Sequence, residues 1–434
     1  MTKPPTPATG PAPATGPAPT ARPVPTARPA PGARPPRLFR SCRHPLAVTL
    51  AAASFVLAVP AAPAHADVIR AQQWALEAMH TDDAWRTTKG EGITVAVLDT
   101  GVDPTHPDLA GQVLTGKDLI GFGAGSGDRA WARHGTAMAG IIAGRGHGPG
   151  REEGVLGIAP EAKILPVRVI LEGTDPDRAK ARKSRGGSLA DGIRWAADNG
   201  ADVINLSLGD DSESAHPEPA EDAAVQYALS KGAAVVASAG NGGEKGDRVS
   251  YPAAYPGVIA VTAVDRYGTH AAFSTRRWYA TVSAPGVDVV IADPDRRYYE
   301  GWGTSAAAAF VSGAVALVRA AHPELEPAQI KKLLADTARD APDNGRDDST
   351  GYGIVDPAAA IEAAGRATTT SADSKSGAAG YTKRYFGRGP DNASEESEPA
   401  AWLAPLAGGL GALLLAGAVV LWRGGPISGL RRPR

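Results

Sequence analysis

Short apolar runs alternate with helical patterns through the middle of the chain, and this alternation limits the possible folds more than any other feature. The apolar runs have the length of strands that are covered on both faces. They are residues 93–98, 164–170, 203–208, 233–237 and 258–264. The helical patterns are residues 135–143, 189–199, 221–230, 305–321 and 328–338. Strands that alternate with helices predict an α/β domain with a mostly parallel central sheet and right-handed crossovers.

Two further segments accompany this alternating region. Residues 67–92 precede the first strand and carry four large apolar side chains, enough to pack as an N-terminal arm: Trp74, Leu76, Met79 and Trp85. Residues 171–187 mix acidic and basic side chains. Such a run predicts a charged, solvated loop, with a binding role as the alternative.

The N-terminal end has the composition of an export signal. Residues 1–44 are rich in Pro, Ala, Thr and Arg, and residues 46–59 form an apolar stretch of signal-sequence length. Ala64-His65-Ala66 then fits the small-x-small cleavage pattern. We therefore interpret residues 1–66 as a signal peptide with a long Pro/Arg-rich front region. An uncut membrane anchor is the alternative, and a start codon placed too early would explain the length equally well.

A second apolar segment lies near the C-terminus. Residues 401–422 carry no charge and are long enough to cross a hydrocarbon layer of about 30 Å. Trp402 and Trp422 lie near its two ends, and the basic tail 423–434 follows, as expected on the cytoplasmic side. Residues 367–400 have no hydrophobic period and predict a flexible linker. The chain thus predicts an extracytoplasmic domain over 67–366 with one membrane helix; a buried core helix is the competing interpretation of 401–422.

Charge and cysteine content narrow the class of protein further. Residues 1–66 hold seven Lys/Arg and the tail holds four Arg, so the region between them has 34 basic and 46 acidic side chains, a net charge of −12. An acidic exported domain argues against nucleic acid as a partner. The single cysteine, Cys42, lies in the predicted signal, so we expect neither a disulfide nor a cysteine metal site in the mature protein. This favours a bacterial surface.

Three segments carry side chains suited to nucleophilic catalysis. Asp99 ends the first apolar strand, at the edge of the sheet where catalytic groups gather. His134 opens a glycine-flanked helix, and Ser305 lies on the first turn of the helix at 305–321, where unpaired N–H groups favour developing negative charge. Taken alone, Ser305 is more often an N-cap and His134 more often structural, and Asp99 is as often a turn or cap residue. Together they match a serine activated by an imidazole that a carboxylate orients.

A fourth segment supplies a donor for an oxyanion. In residues 237–242, Ala-Ser-Ala-Gly-Asn-Gly, a predicted strand runs into the glycine-flanked amide of Asn241. An amide that faces the reacting carbonyl stabilises the charge that forms there. The alternative is that Asn241 is only a turn residue.

These segments together resemble the subtilisin-like serine proteases, the subtilases, over about residues 74–363. The resemblance rests on motifs that occur in order: Asp99-Thr100-Gly101-Val102-Asp103, His134-Gly135-Thr136, Asn205-Leu206-Ser207-Leu208-Gly209, Gly240-Asn241, Gly303-Thr304-Ser305 and Gly351-Tyr352-Gly353-Ile354-Val355-Asp356. It implies a three-layer sandwich with catalytic Asp99, His134 and Ser305 and an oxyanion donor at Asn241. It also implies a substrate-binding set that flanks the primary pocket: Ser207, Leu208, Gly209, Ala237, Ser238, Ala239 and Gly240.

The arm, the linker, the single C-terminal anchor and the basic tail are similar to those of mycosins, membrane-anchored subtilases associated with type VII secretion in actinobacteria. The chain departs from them in having no cysteine after residue 66, and from subtilases generally in having Ala306–Ala309 where a proline is usual. The resemblance implies a serine endopeptidase of the actinobacterial cell membrane that acts on protein or peptide substrates. The alternatives are a secretion-complex scaffold with secondary proteolysis and a protease released by cleavage of the linker.

Subtilases often bind calcium, and Asp103 and Asp108 are the candidate ligands in this chain. No complete acidic loop surrounds them, so we expect turn residues at both positions and no required cofactor.

Overall fold

The computed structural model describes residues 68–370 and places all five predicted apolar runs in strands. The strands are β1 (Thr94–Asp99), β2 (Lys117–Asp118), β3 (Arg145–His147), β4 (Glu153–Leu156), β5 (Lys163–Arg168), β6 (Val203–Leu206), β7 (Ala234–Ser238), β8 (Ile259–Val264), β9 (Ala280–Pro285), β10 (Val289–Ala292) and β11 (Tyr298–Gly301). The helices are α1 (Val68–Ala71), α2 (Trp74–Ala78), α3 (Thr81–Ala84), α4 (Arg133–Ala143), α5 (Arg178–Ser184), α6 (Ser188–Asp198), α7 (Pro219–Ser230), α8 (Thr304–Ala321), α9 (Pro327–Asp336) and α10 (Pro357–Thr370).

A seven-stranded sheet with the order β2-β5-β1-β6-β7-β8-β9 forms the centre of the described domain. Every neighbouring pair in it is parallel. The chain leaves β1 towards β5 on one side and later towards β6 on the other. The strand order therefore changes direction at β1, and clefts at the carboxyl ends of strands form at such a point. The predicted α/β class with a mostly parallel sheet is confirmed.

Helices cover both faces of this sheet and make three layers. Val95 and Val97 of β1 point to the layer of α4 and α8, whereas Ala96 and Leu98 point to the layer of α6 and α7. The alternation of side chains along a strand explains why β1 is apolar at every position from 95 to 98. The three-layer arrangement positions the carboxyl end of β1 between the two helical layers.

The central helix α8 is buried by the rest of the domain. It packs against β1, β6, β7, β8 and β9 as well as α4. In residues 68–370 it is the one helix long and apolar enough to cross a membrane, but 83% of it lies inside the protein. Its small side chains let the backbone approach the sheet closely, so its apolar composition is that of a core helix. The predicted signal 1–66, the membrane helix 401–422, the tail 423–434 and all but the first residues of the linker lie outside the described residues.

The N-terminal arm, α1 to α3, packs on the domain through both apolar and polar contacts. Leu76 and Met79 belong to the same core cluster as α8. Gln73 exchanges two hydrogen bonds with the backbone of Leu156, at 2.8 and 2.9 Å. Trp85 donates through Nε1 to the carbonyl of Ile158 at 2.8 Å. The arm is thereby joined to the segment that follows β4.

The structure differs from the sequence prediction in two segments at the domain's edge. The charged run 171–187 contains helix α5, because Ala181 is buried against Ile120 and Leu171 while Lys180, Arg182 and Lys183 are exposed. Helix α10 continues to Thr370, into the first residues of the predicted linker. The prediction of a plain loop at 171–187 was wrong because one buried alanine is too weak a signal among so many charges.

Candidate active site

Asp99 and His134 are joined directly at the carboxyl end of β1. Asp99 is fully buried, and its two carboxylate oxygens lie 2.8 and 2.9 Å from Nδ1 of His134. The N–H of Thr100 donates to the same carboxylate at 2.7 Å. With Nδ1 bound to a carboxylate, the His134 tautomer that leaves Nε2 free to accept a proton is favoured. The pair has the geometry that the base of a nucleophilic site requires.

A glycine lets the His134 helix approach the end of β1 this closely. A Cβ at Gly135 would lie 1.9 Å from the carbonyl oxygen of Gly101 and 3.2 Å from Cβ of Asp99. The residue before the helix, Ala132, has a positive φ of 55°, which costs energy in a non-glycine residue. The first turn of α4 is thus held in place by surrounding contacts.

The pKa of His134 is set by opposing effects. Burial lowers it, but the charge and hydrogen bond of Asp99 and the charge of Glu172 raise it from 6.5 to about 9, against a smaller lowering by Arg178. The imidazole is therefore a stronger base than a solvent-exposed histidine.

Ser305 is the second residue of α8, and its hydroxyl bonds to the residue that follows β6. Its Oγ donates to the carbonyl of Ser207 at 3.1 Å, and Ser207 Oγ donates in return to the carbonyl of Ser305 at 2.8 Å. Within residues 68–370 no hydrogen bond joins Ser305 to His134. The backbone N–H of Ser305 lies in the first turn of α8, where N–H groups have no intrahelical acceptor. Gly303 makes the turn before it, with a φ of 142° that a side chain rarely adopts.

Asn241 is an exposed amide three residues beyond β7, next to the start of α8. Its Oδ1 accepts hydrogen bonds from N–H and Oγ1 of Thr304, both at 3.0 Å. These contacts fix the amide so that its Nδ2 remains as a donor with no hydrogen-bond partner in the described part of the chain. Asn241 and Ser305 line the same cavity at the N-terminus of α8.

Two adjoining cavities surround these groups. The larger, about 840 Å³, is lined by His134 and Ser207 among others, and the smaller, about 260 Å³, by Ser305 and Asn241. Of the predicted substrate-binding set, the smaller cavity is lined by Leu208, Gly209, Ser238 and Gly240. Ala237 and Ala239 lie instead in the core on the α6/α7 side.

One residue that was not singled out from the sequence, Glu172, completes the surroundings of the pair. Glu172 Oε1 accepts hydrogen bonds from Thr100 Oγ1 at 2.7 Å and from the N–H of His134 at 2.8 Å. Glu172 lies just after β5, and β5 pairs with β1 so that Arg168 is opposite Asp99. A signal was present, because a carboxylate that follows the neighbouring parallel strand lies at the same edge as Asp99.

The two candidate calcium ligands do not fit a metal site. Asp103 Oδ1 accepts from both N–H and Oγ1 of Thr105, as in a turn. Asp108 is fully buried and accepts from His147 Nδ1 at 2.6 Å, Tyr298 OH at 2.8 Å and the N–H of Val155 at 2.9 Å. Its oxygens are therefore engaged by protein donors. In residues 68–370 no group of three or more His, Cys, Asp or Glu side chains is arranged to hold a metal ion.

A positive side chain also engages the carbonyl oxygens beside Asp108. Arg70 of the N-terminal arm donates to the carbonyl of Gly154 at 3.2 Å and to that of Arg151 at 3.1 Å. Carbonyl and carboxylate oxygens are the ligands that calcium needs. Here these oxygens accept hydrogen bonds from the guanidinium of Arg70, the imidazole of His147 and the phenol of Tyr298.

Comparison with known proteins agrees with the resemblance to subtilases that the sequence motifs indicate. The sequence profile of the subtilase family matches residues 90–353. Fervidolysin of Fervidobacterium pennivorans is 40% identical over 67% of this chain and 43% of its own length. A thermophilic serine proteinase of Bacillus sp. (strain AK1) is 42% identical over 57% of each chain. The chain thus spans about half the length of these two curated relatives.

Solved structures share the fold. MycP1 from Mycobacterium smegmatis aligns with a TM-score of 0.56 and 31% identity, over 66% of this chain and 84% of MycP1. Another structure of MycP1 is that of a serine protease described as an essential component of the type VII (ESX-1) secretion system. Because the profile matches more than half of the chain and the fold agrees, the chain belongs to the subtilase family.

Proposed function

We propose that the protein is a serine endopeptidase in which Asp99, His134 and Ser305 form the catalytic triad. The observation that carries the proposal is the buried carboxylate of Asp99 bound to Nδ1 of His134. Ser305, at the α8 N-terminus, exchanges hydrogen bonds with Ser207, which lines the same cavity as His134. The membership of the subtilase family supports the same activity. Asn241 is proposed as the side-chain donor of the oxyanion hole.

Acylation follows from these groups. The Ser305 hydroxyl rotates from the carbonyl of Ser207 towards Nε2 of His134, gives up its proton and attacks the peptide carbonyl carbon. The oxygen of the tetrahedral intermediate accepts hydrogen bonds from Asn241 Nδ2 and the Ser305 N–H. His134 then protonates the leaving nitrogen, and the C–N bond breaks to leave an acyl-enzyme. Asp99 keeps the imidazole oriented and stabilises its protonated form.

Deacylation repeats the sequence with water as the nucleophile. His134 takes a proton from water, and the hydroxide attacks the ester carbon of acylated Ser305. When the intermediate collapses, the proton returns to Ser305 Oγ and the carboxylic acid product leaves. Ser207 to Gly209 and the segment after β7 border the two cavities, and we assign them to an extended substrate that pairs as an added strand.

We further propose that this domain works outside the cytoplasm, anchored by residues 401–422, with 1–66 as its export signal, 367–400 as a linker and 423–434 as a cytoplasmic tail. The apolar segments of the sequence and the basic C-terminus support this division. The likeness to MycP1 supports an association with type VII secretion machinery, whose components are candidate substrates.

A fluorophosphonate probe tests the peptidase assignment. We expect the full chain to be labelled on Ser305, and the Ser305→Ala and His134→Ala variants to lose labelling. Ser312→Ala, which removes another serine of the same helix, serves as the control and should still be labelled. Labelling that survives in Ser305→Ala would contradict the triad, and no labelling of the native chain would favour a scaffold role.

Cell fractionation tests the anchoring. We expect the labelled protein to remain with membranes after washing at high salt and to become soluble when residues 401–434 are deleted. Label recovered mainly in the medium as a shortened chain would instead favour a protease released by cleavage of the linker.

A further inference from the structure

Glu172 is a carboxylate that lines the larger cavity and that the reaction scheme does not use. One of its oxygens, Oε1, accepts two hydrogen bonds, from Thr100 Oγ1 at 2.7 Å and from the N–H of His134 at 2.8 Å. Thr100 directly follows the strand that carries Asp99, and His134 lies in the first turn of α4. A single oxygen therefore joins the two elements whose side chains form the Asp99–His134 pair.

The hydroxyl of Thr100 makes a second connection between the end of β1 and the first turn of α4. Thr100 Oγ1 donates to Glu172 and also accepts from the N–H of Gly135 at 3.2 Å. Two N–H groups of the first turn of α4 are thus satisfied, one by Glu172 and one by Thr100. A negative charge at a helix N-terminus is stabilising in addition to its hydrogen bonds.

We propose that Glu172 is a positioning residue of the catalytic pair: its carboxylate fixes the first turn of α4 on the end of β1 and so holds the His134 ring against Asp99. The proposal rests on the peptidase function proposed above. Glu172 acts through His134 and Thr100, and it has no role in bond making or breaking.

The charge of Glu172 has a second effect that can be separated from its hydrogen bonds. Three charged groups from three elements face His134: Asp99 from β1, Glu172 from the segment after β5, and Arg178 from α5. Arg133, the neighbour of His134 on α4, is paired with Asp293 at 2.6 Å. Burial lowers the pKa of His134, the two carboxylates raise it and Arg178 lowers it, so the loss of the Glu172 charge should lower it.

Substitutions at Glu172 separate the two effects. Glu172→Gln keeps an oxygen that can accept both hydrogen bonds but loses the charge. We expect kcat at the pH optimum to stay within about threefold of the native value, and the acid limb of the kcat/KM profile to move down by about half a pH unit or more. Glu172→Ala loses both the hydrogen bonds and the charge. We expect a further fall in kcat of about tenfold with KM little changed, because the His134 ring is no longer held in position against Asp99.

Thr100→Val removes the hydroxyl that connects Glu172 to β1 and leaves every charge in place. We expect it to lower kcat as Glu172→Ala does without moving the acid limb. The double variant should lose little more than either single one, since both substitutions break the same connection. Asp177→Asn is the matched control for charge: it lies in the same segment, its carboxylate pairs with Lys180, and we expect neither kcat nor the acid limb to change.

An NMR titration of the His134 ring in the full chain provides a readout that does not depend on turnover, with the signal assigned by its loss in His134→Ala. The proposal is supported if the midpoint falls in Glu172→Gln and not in Asp177→Asn or Thr100→Val. It is overturned if Glu172→Gln leaves the midpoint unchanged, or if Glu172→Ala retains native kcat. A native chain that titrates as expected but cleaves no peptide would reject the peptidase function and leave the positioning role of Glu172 intact.

Discussion

The side chains of the site differ in how far they could be predicted from the sequence. Asp99, His134, Asn241 and Ser305 each sit where a strand ends or a helix begins, and their order along the chain is typical of subtilases, so they could be named at once. Glu172 was not singled out: it follows an apolar strand, as Asp99 does, but it lies in a charged segment that was expected to be solvated. Its importance arises from the pairing of β5 with β1, which no local pattern reveals.

The first prediction at the scale of single residues concerns pH. The protonated imidazole of His134 cannot accept the proton of Ser305, so activity is lost as the pH falls through the pKa of His134. Because Asp99 and Glu172 outweigh burial and raise that pKa from 6.5 to about 9, we expect kcat/KM to rise well above neutrality, with a midpoint near that value. Rates on a peptide substrate between about pH 5 and pH 10 measure this. Circular dichroism at each pH controls for unfolding, and a midpoint at or below the ordinary histidine value would contradict the expectation.

Asn241 gives the second prediction at this scale. Asn241→Ala removes the Nδ2 donor and also the Oδ1 that accepts from Thr304. Because the packing of α8 against the central strands keeps Ser305 in place, we expect kcat to fall and KM to change little. In subtilisin itself, the loss of the oxyanion asparagine lowers kcat by about 10²–10³. Asn199→Ala, at the exposed end of α6, is the matched control. An equal loss in both variants would show that general destabilisation, and not the oxyanion, is responsible.

At the scale of elements, the strands were predictable in proportion to their apolar content. The five central strands are rich in Val, Ile and Leu and were found from the sequence to within about two residues, the usual scatter of element ends. Strand β9 is fully buried but reads Ala-Thr-Val-Ser-Ala-Pro, so its small and polar side chains gave no signal. Helix α5 was missed because its many Lys and Arg side chains leave only Ala181 as an apolar signal. The secondary structure of such segments is determined by tertiary contacts and not by the local sequence pattern.

The contact between α4 and β1 gives a prediction for an element. Gly135→Ala places a Cβ 1.9 Å from the carbonyl oxygen of Gly101, so the helix must move away from the strand and carry His134 with it. A displacement of this kind costs on the order of 10²-fold in kcat/KM. Thermal unfolding and the rate on a peptide substrate measure both consequences. Gly125→Ala is the control, since its Cβ meets nothing closer than 3.9 Å. Native activity in Gly135→Ala would mean that the close approach is not needed.

At the scale of the whole molecule, Asp108 and Arg70 join the N-terminal arm, the β3–β4 hairpin and β11 around one buried carboxylate. The hydrogen bonds there come from His147, Tyr298 and the backbone of Val155. Such a cluster connects distant parts of the chain, as a bound metal ion does in other proteins. Asp108 was predictable as a candidate ligand from the sequence, but its partners lie 39 to 190 residues away and have no local signal.

We therefore expect the stability of this protein to be independent of calcium. Excess chelator should leave Tm within about 1 °C, because the oxygens that would bind calcium already accept protein hydrogen bonds. Differential scanning calorimetry of the full chain with EDTA, and with EDTA saturated by calcium as the control, measures this. A fall of about 5 °C or more that added calcium reverses would contradict it.

The position of Ser305 at the start of α8 has a consequence for when the protein becomes active. That helix packs against β6, β7, β8 and β9, all of which precede it along the chain. During synthesis Asp99 and His134 emerge long before Ser305, and Ser305 reaches its place only as α8 enters the core. The order of the elements therefore delays assembly of the proposed triad until the central sheet has formed and α8 has packed on it.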